Sequence, residues 1–389
     1  MKTAFILLSM LLSVFGDEVQ ESFTGINNLF TAGVYREVSK TVKENVLVSP
    51  FSAEVALALA LSGAEGPTAE EIRTTLHLPN NPDLILKTFK SLLTSLEHHD
   101  QDYHLRNVNK IYLNKNFAIK NDFRNTALSV FGADLENVEF SQSVEAAKTI
   151  NHWVEKQTEN KIHDLVDPAN LNDFTRSILI NALYFQANWT NQFKNYFTIK
   201  EKFHPTTKDV VQVEMMTDFE NDYNYYASEE LEASFLEMPF EGEEASITFV
   251  LPDAVDGLAD LEQQIDQVFI KPNYTSAGVF VSIPKFKIES SLDFKEILGN
   301  MGVRKAFTPG EAEFSGISDE ELVVNNFVQK TFIRVNEEGV EAAASDFEDT
   351  TDYSGTNITE YFLADHPFIF YIKIKELIVF VGKVLNPVF

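Results

Sequence analysis

Val335-Asn-Glu-Glu-Gly-Val-Glu-Ala-Ala-Ala344 follows directly on an apolar run, Phe327 to Val335, and opens a stretch unlike its surroundings. From Glu337 to Ala364 the chain is polar and acidic with almost no apolar periodicity, yet a second strong strand signal, Phe368 to Ile374, follows it. A connection this long is uncommon inside a compact domain and is either functional or disordered where it occurs. Glu341-Ala-Ala-Ala alone reads as a helical turn, because Ala is the best helix former. Behind Asn336-Glu-Glu-Gly that reading gives way, since Gly339 adds backbone freedom where the chain leaves its strand. No Lys or Arg occurs between Arg334 and Lys373.

Working outward, Ser177-Ile-Leu-Ile-Asn-Ala-Leu-Tyr-Phe185 is a nearly continuous apolar run, as expected of a central strand covered on both faces. Ser246 to Leu251, Gly278 to Phe286 and Leu377 to Leu385 are similar, with helical pieces at Asp260 to Val268 and Leu292 to Met301. Residues 20 to 160 read as mainly helical. Phe23 to Val38 is amphipathic, and Ser52 to Ser62 is rich in Ala and Leu all round, which predicts a buried helix behind an N-cap Ser. Pro67 opens another helix with acids in its first turn, and Glu145 to Asn160 is amphipathic and carries Trp153. Helices first and strands later indicate an α+β fold, helix-rich in its N-terminal half. With no internal repeat or linker, residues 17–389 read as one domain.

The chain has 389 residues, 44% of them hydrophobic, so a sizeable core can be buried, and 33 Phe rings need that core. A net charge of −28 argues against nucleic acid and anionic membranes as partners. Met1 to Gly16 has a Lys near its start, a short apolar run and small residues at its end, the pattern of a secretory signal peptide; a buried N-terminal helix is the competing reading. The expectation is an extracellular protein starting near Asp17. It has no cysteine, so disulfides and thiol chemistry are excluded. Asn188, Asn273 and Asn357 head glycosylation triplets, with Asn188 close to packed structure. His98-His-Asp reads as a solvated turn rather than a metal site. Zinc-protease, phosphate-loop, dinucleotide and nucleophile-elbow motifs are all absent, so no metal, cofactor or enzyme activity is expected.

Several short segments, in order, resemble one family. They are Asn45-Val-Leu-Val-Ser-Pro-Phe-Ser, Asn181-Ala-Leu-Tyr-Phe-Gln-Ala-Asn-Trp-Thr-Asn-Gln-Phe, Phe203-His-Pro and Val213-Glu-Met-Met. Leu236-Glu-Met-Pro-Phe, Val281-Ser-Ile-Pro-Lys-Phe, Ala312-Glu-Phe-Ser-Gly-Ile, the Val335–Ala344 stretch, Ala364-Asp-His-Pro-Phe and Phe380-Val-Gly-Lys-Val-Leu-Asn-Pro follow. Together they resemble a serpin of the secreted, invertebrate-like inhibitory type. The resemblance implies three β-sheets, a large central one with room for another strand, and an exposed reactive-centre loop at about 337–363. It also implies a monomeric suicide inhibitor. A serine protease attacks the loop, becomes acylated, and is carried off as the loop inserts into the sheet. The alternative is a serpin that no longer inhibits and serves as carrier, storage protein or chaperone.

The resemblance also assigns residues. Glu337, Glu338, Gly339, Val340, Glu341, Ala342, Ala343 and Ala344 match the hinge. The family spacing counted from Glu337 puts the cut at Tyr353–Ser354, whereas counting back from Pro367 puts it near Asn357. Glu337 and Lys285 match an ion pair at the top of the sheet, worth at most about 1 kcal/mol if exposed. Ser49, Ser52 and Asn181 match a polar cluster beneath the point where strands part, with Gln329 where a His is usual, and Trp189 is the characteristic tryptophan. In an inserted strand alternate residues face the core. With Val340 inward, Ala342 and Ala344 follow, small enough to pass. Asp346 and Glu348 come next, and insertion is expected to slow at Asp346, because burying an unpaired carboxylate costs several kcal/mol. Without a basic bait residue, chymotrypsin-like proteases, or others that accept Tyr or Phe, are preferred over trypsin-like ones, and cathepsin-like targets stay open. A glycosaminoglycan partner has no support, since Leu93 to Leu113 carries at least as much acid as base.

Overall fold

The computed structural model describes residues 23–96, 103–340, 357–387 and 389. Residues 1–16, read above as a signal peptide, His98-His-Asp, and residues 341–356 with Tyr353 and Ser354 lie outside the described residues. Helices α1 (23–41), α2 (Pro50–Leu61), α3 (Gly66–Thr75), α4 (Pro82–Leu96), α5 (Asn121–Phe131) and α6 (Ser143–Gln157) come early; α7 (Leu258–Gln263), α8 (Ile265–Val268) and α9 (Phe294–Met301) come late. The strands are β1 (Val46–Val48), β2 (Tyr103–Asn114), β3 (Asp134–Val138), β4 (Ser177–Asn188), β5 (Ile199–Phe203), β6 (Val211–Asp218), β7 (Asp222–Ser228) and β8 (Ala233–Pro239). They continue with β9 (Ala245–Pro252), β10 (Thr275–Pro284), β11 (Phe286–Asp293), β12 (Val324–Val335), β13 (Gly339–Val340), β14 (Ile358–Leu363), β15 (Phe368–Ile374) and β16 (Leu377–Val384).

The architecture is α+β. One sheet runs β11-β12-β13-β4-β2-β3. The remaining strands hydrogen-bond into one path, β1-β16-β15-β9-β8-β7-β10-β6-β5 with β14 on β10; β7 joins what are otherwise two smaller sheets by pairing with both β8 and β10. The N-terminal half is less purely helical than its sequence reads, since β2 and β3 fall within it. In β2 the inward residues Tyr103, Leu105, Asn109, Ile111 and Leu113 alternate with His104, Arg106, Lys110 and Tyr112. No continuous apolar run results, and the strand is held by antiparallel pairing with β4 from Tyr103↔Ala187 to Leu113↔Ser177.

Two layers of side chains bracket the central sheet. On its inner face α2 is buried along almost its whole length, and Ser49 caps it by accepting the Ser52 amide N–H at 3.2 Å. On its outer face α6 sets Ile150 and Val154 over Tyr112 of β2, Ile178 and Ile180 of β4 and Phe332 of β12. Many of the Phe rings are fully buried, among them Phe30, Phe51, Phe89, Phe140 and Phe203.

One acid lies within this core. Glu54 of α2 is fully buried, accepts one hydrogen bond from Asn27 Nδ2 at 3.1 Å, and has Oε1 without a partner among the described residues. Burial pushes its carboxyl from the ordinary 4.5 up to about 8, against the Asn27 hydrogen bond that lowers it. Because the folded value is the higher one, its contribution to stability is fully present below pH 4.5 and lost as pH rises to about 8. At about 1.4 kcal/mol per pH unit the loss is on the order of 5 kcal/mol. Denaturant unfolding at pH 5 and pH 8 is expected to show most of this fall in the natural chain and a much smaller one in Glu54→Gln; equal falls in both would count against it.

Candidate functional site at the head of the central sheet

β12 ends at Val335, and the chain then reverses within four residues. Asn336 N–H donates to the Gly339 carbonyl at 3.0 Å, and Asn336 Oδ1 accepts from the amides of Gly339 at 3.0 Å and Glu338 at 3.2 Å. The reversed chain becomes β13, which sits between β12 and β4. Val340 pairs antiparallel with Val335 on one side and with Ala187 on the other. The opposite wall anchors the turn. Trp189 donates its ring N–H to the Asn336 carbonyl and its backbone N–H to the Glu338 carbonyl, each at 2.9 Å. Its indole is stacked on Phe240, with centroids 4.8 Å apart.

Gly339 is the residue this geometry requires. Its φ is +155°, and a Cβ there would stand 2.1 Å from the Ala187 carbonyl oxygen. Glu337, two residues earlier, accepts from Thr198 Oγ1 at 2.8 Å and pairs with Lys285 Nζ at 3.0 Å. The Lys285 ammonium also lies 4.5 Å from the Phe389 ring centroid. Side-chain exposures of 15% for Lys285 and 7% for Glu337 make this a largely buried pair rather than the exposed one assumed from sequence. Removing Lys285 therefore leaves the buried Glu337 carboxylate without its cation, a larger loss than at the surface, whereas removing Glu337 leaves Lys285 with Glu214 Oε2 3.8 Å away.

Below β13 the sheet is closed. β12 and β4 pair directly and in parallel, from Asn326↔Ile178 to Thr331↔Leu183. Gln329 and Asn181 are partners in that ladder, and Gln329 Nε2 donates to Asn181 Oδ1 at 2.6 Å and to the Ser49 carbonyl at 2.8 Å. Gln329 Oε1 accepts the Ser49 N–H at 2.8 Å. Asn181 Nδ2 donates to the Ser52 carbonyl at 2.9 Å, to Asn109 Oδ1 at 2.7 Å and to Ser52 Oγ. Ser49 Oγ donates to the Val379 carbonyl at 2.7 Å. The structure thus brings Ser49, Ser52, Asn181 and Gln329 into one buried network. Asn109, which the sequence did not single out, completes it.

The central sheet is split by a two-residue strand at its head and closed below. Residues 26–387 match the family model described as "Serpin (serine protease inhibitor)". The chain belongs to the serpin family. It is 36% identical to Alaserpin of Manduca sexta over 95% of each chain, and 33% identical to the leukocyte elastase inhibitor of Homo sapiens over 94% of this chain and all of the relative. The solved structure of Serpin48, "a highly specific serpin in the insect Tenebrio molitor", superposes with a TM-score of 0.89 at 47% identity, covering 94% of this chain and 98% of that one. These relatives are serpins and named inhibitors, not enzymes.

Elsewhere on this serpin, Asn273 and Asn357 are exposed, the second immediately before β14. Asn188 ends β4 and donates to Glu241 Oε2 at 3.0 Å, and Trp189 beside it is buried. Of the residues that match the family hinge, Glu337 to Val340 are placed as described; Glu341 to Ala344 lie outside the described residues, as do Tyr353 and Ser354.

Proposed function

We propose that this serpin is a secreted suicide inhibitor of a chymotrypsin-like serine protease, or of another protease that accepts an aromatic residue, with Tyr353–Ser354 as the bait bond. The observation that carries the reading is β13, because Gly339 and Val340 already occupy the slot between β12 and β4 into which a longer strand would grow. The protease serine attacks the Tyr353 carbonyl carbon, the bond to Ser354 nitrogen breaks, that amine takes the proton, and Tyr353 stays on the protease as an ester. Insertion of Glu341 onward as a central strand then displaces the bound enzyme before water cleaves the ester. Glu337 to Ala344 form the hinge in this reading, and Trp189, Lys285, Glu337 and the Ser49–Asn181–Gln329 network govern when the sheet opens. Residues 1–16 are removed as a signal peptide, residues 17–389 act as one monomeric domain, and Asn273 and Asn357 are the accessible glycosylation sites.

Incubation with chymotrypsin is expected to give a complex that survives denaturing electrophoresis, with release of a C-terminal peptide beginning at Ser354 on mass spectrometry. A peptide beginning a few residues later would move the bond toward Asn357. Cleavage without any covalent complex would favour the non-inhibitory reading, in which the protein is a carrier, storage protein or chaperone.

A further inference from the structure

The inference concerns how the inserting strand is received, and so rests on the reading just given. β13 fixes a register before any cleavage, with Val340 opposite Val335 and Ala187 and pointing into the core. Antiparallel growth from that point steps one residue down each neighbour. Ala342 then falls between Ile333 and Phe185, and Ala344 between Thr331 and Leu183. Asp346 falls between Gln329 and Asn181, and Glu348 between Phe327 and Leu179. The closed half of the sheet gives the same correspondence independently, because Gln329↔Asn181 and Phe327↔Leu179 are direct partners there. A strand entering between β12 and β4 therefore separates each of these pairs and puts one residue in the middle.

We infer that the Asn181–Gln329 amide pair is the receiving site for the Asp346 side chain, which enters it as the neutral acid. Neighbouring strands lie about 4.8 Å apart, so an intervening strand doubles the gap and breaks the 2.6 Å bond from Gln329 Nε2 to Asn181 Oδ1. Both amides keep their other partners. Gln329 stays on the backbone of Ser49, and Asn181 Nδ2 stays on Ser52 and Asn109, which holds Asn181 Oδ1 toward the incoming strand. The opened site thus offers one donor, on Gln329, and one acceptor, on Asn181.

A protonated carboxyl matches both: its carbonyl oxygen accepts from Gln329 and its hydroxyl donates to Asn181. An ionised carboxylate would face the Asn181 oxygen with no proton between them, and an apolar residue would leave both amides unpaired in a buried place. The acid that meets no such site is Glu348, between Leu179 and Phe327. On the opposite face Phe347 falls between Val328 and Ile180, part of the apolar cluster beneath α6. The costly step of insertion is therefore at Glu348 rather than at Asp346.

The inference has a pH signature. The groups facing the site are Ser49 and Ser52 of α2, Asn109 of β2, Leu179 and Leu183 of β4, and Phe327 and Thr331 of β12, none of which titrates near neutrality. Nearby titratable groups are Glu54, buried elsewhere on α2 and bonded to Asn27, and Glu348 on the incoming strand. A buried acid that must donate holds its proton more tightly in the inserted form than in the free loop. Its contribution is thus present at low pH and lost as pH rises through the raised value.

The test is guanidinium unfolding of loop-cleaved full-length protein at pH 5 and pH 8, for the natural chain, Asp346→Asn, Asp346→Leu, Glu348→Gln, Gln329→Leu and the Asp346→Leu/Gln329→Leu pair. Cleaved Asp346→Leu is expected to unfold about tenfold faster than the natural chain at pH 5, and to lose most of that difference in the Gln329→Leu background. Asp346→Asn, which donates and accepts without ionising, is expected to show a smaller fall from pH 5 to pH 8 than the natural chain; Glu54 contributes equally to both. Identical unfolding of Asp346→Leu and the natural chain would overturn the inference, as would a pH fall retained in Asp346→Asn and removed only by Glu348→Gln. If cleavage adds no stability to the natural chain, insertion itself fails and the proposed function falls with it.

Discussion

Cleaved in its loop with both fragments retained, the protein is expected to melt about 10 °C or more above the intact form, several kcal/mol at about 2 °C per kcal/mol for a chain this large. The expectation follows from the sheet. In the intact molecule β12 and β4 pair in parallel from Asn326↔Ile178 to Thr331↔Leu183, and parallel ladders are slightly the less stable kind per residue. A strand grown from β13 replaces that single parallel ladder with two antiparallel ones, since Val340 already pairs antiparallel with both neighbours. Ordering costs about 1–2 kcal/mol per residue, and each new hydrogen bond returns about 0.5–1.5 kcal/mol. The net gain of one ladder roughly offsets that ordering, so the margin expected of the inserted form comes from the burial of Ala342, Ala344 and Phe347. Scanning calorimetry of intact and cleaved protein decides it. Melting within a few degrees of each other would mean that the native molecule stores nothing to drive displacement of a protease.

How far the molecule can be read without coordinates depends on the kind of signal each part carries. β4, β15 and β16 are buried on both faces, so their apolar runs announce them, and α2 is marked by Ala and Leu behind the Ser49 cap. β5 is invisible by the same criterion: four of its five residues are exposed, and it exists because β6 pairs with it from Ile199↔Met215 to Phe203↔Val211. In the site, the family resemblance pointed to Ser49, Ser52, Asn181 and Gln329. Asn109 carries no such mark, because one Asn in a strand of mixed polarity looks like surface until β2 is laid against β4. Glu54 looks like the polar face of a helix until α1 covers it, with Asn27 bonded to both Glu54 and the Ile378 amide of β16. The fit of Asp346 is of a third kind. It depends on a register between segments more than a hundred residues apart, and no local pattern contains it.

Gly339→Ala is expected to convert the inhibitor largely into a substrate. The methyl group would sit 2.1 Å from the Ala187 carbonyl and 2.8 Å from the Asn188 Cα, both backbone atoms that no side-chain rotation can move aside. A φ of +155° is itself poorly tolerated by a residue with a Cβ. The variant relieves both by leaving the slot, which frees Val340 from a position where it is 1% exposed and costs about 2 kcal/mol of burial. Insertion after acylation must pass the same point, so its barrier rises while hydrolysis of the ester does not. Each 1.4 kcal/mol added to one branch shifts the partition about tenfold. Titration against chymotrypsin should therefore need about ten times more inhibitor per enzyme inactivated, with cleaved protein accumulating in place of the complex. The intact variant is expected to keep its secondary structure, because β4 and β12 remain paired below residue 332. A stoichiometry equal to that of the natural chain would show that the slot holding β13 is not the entrance through which the loop inserts.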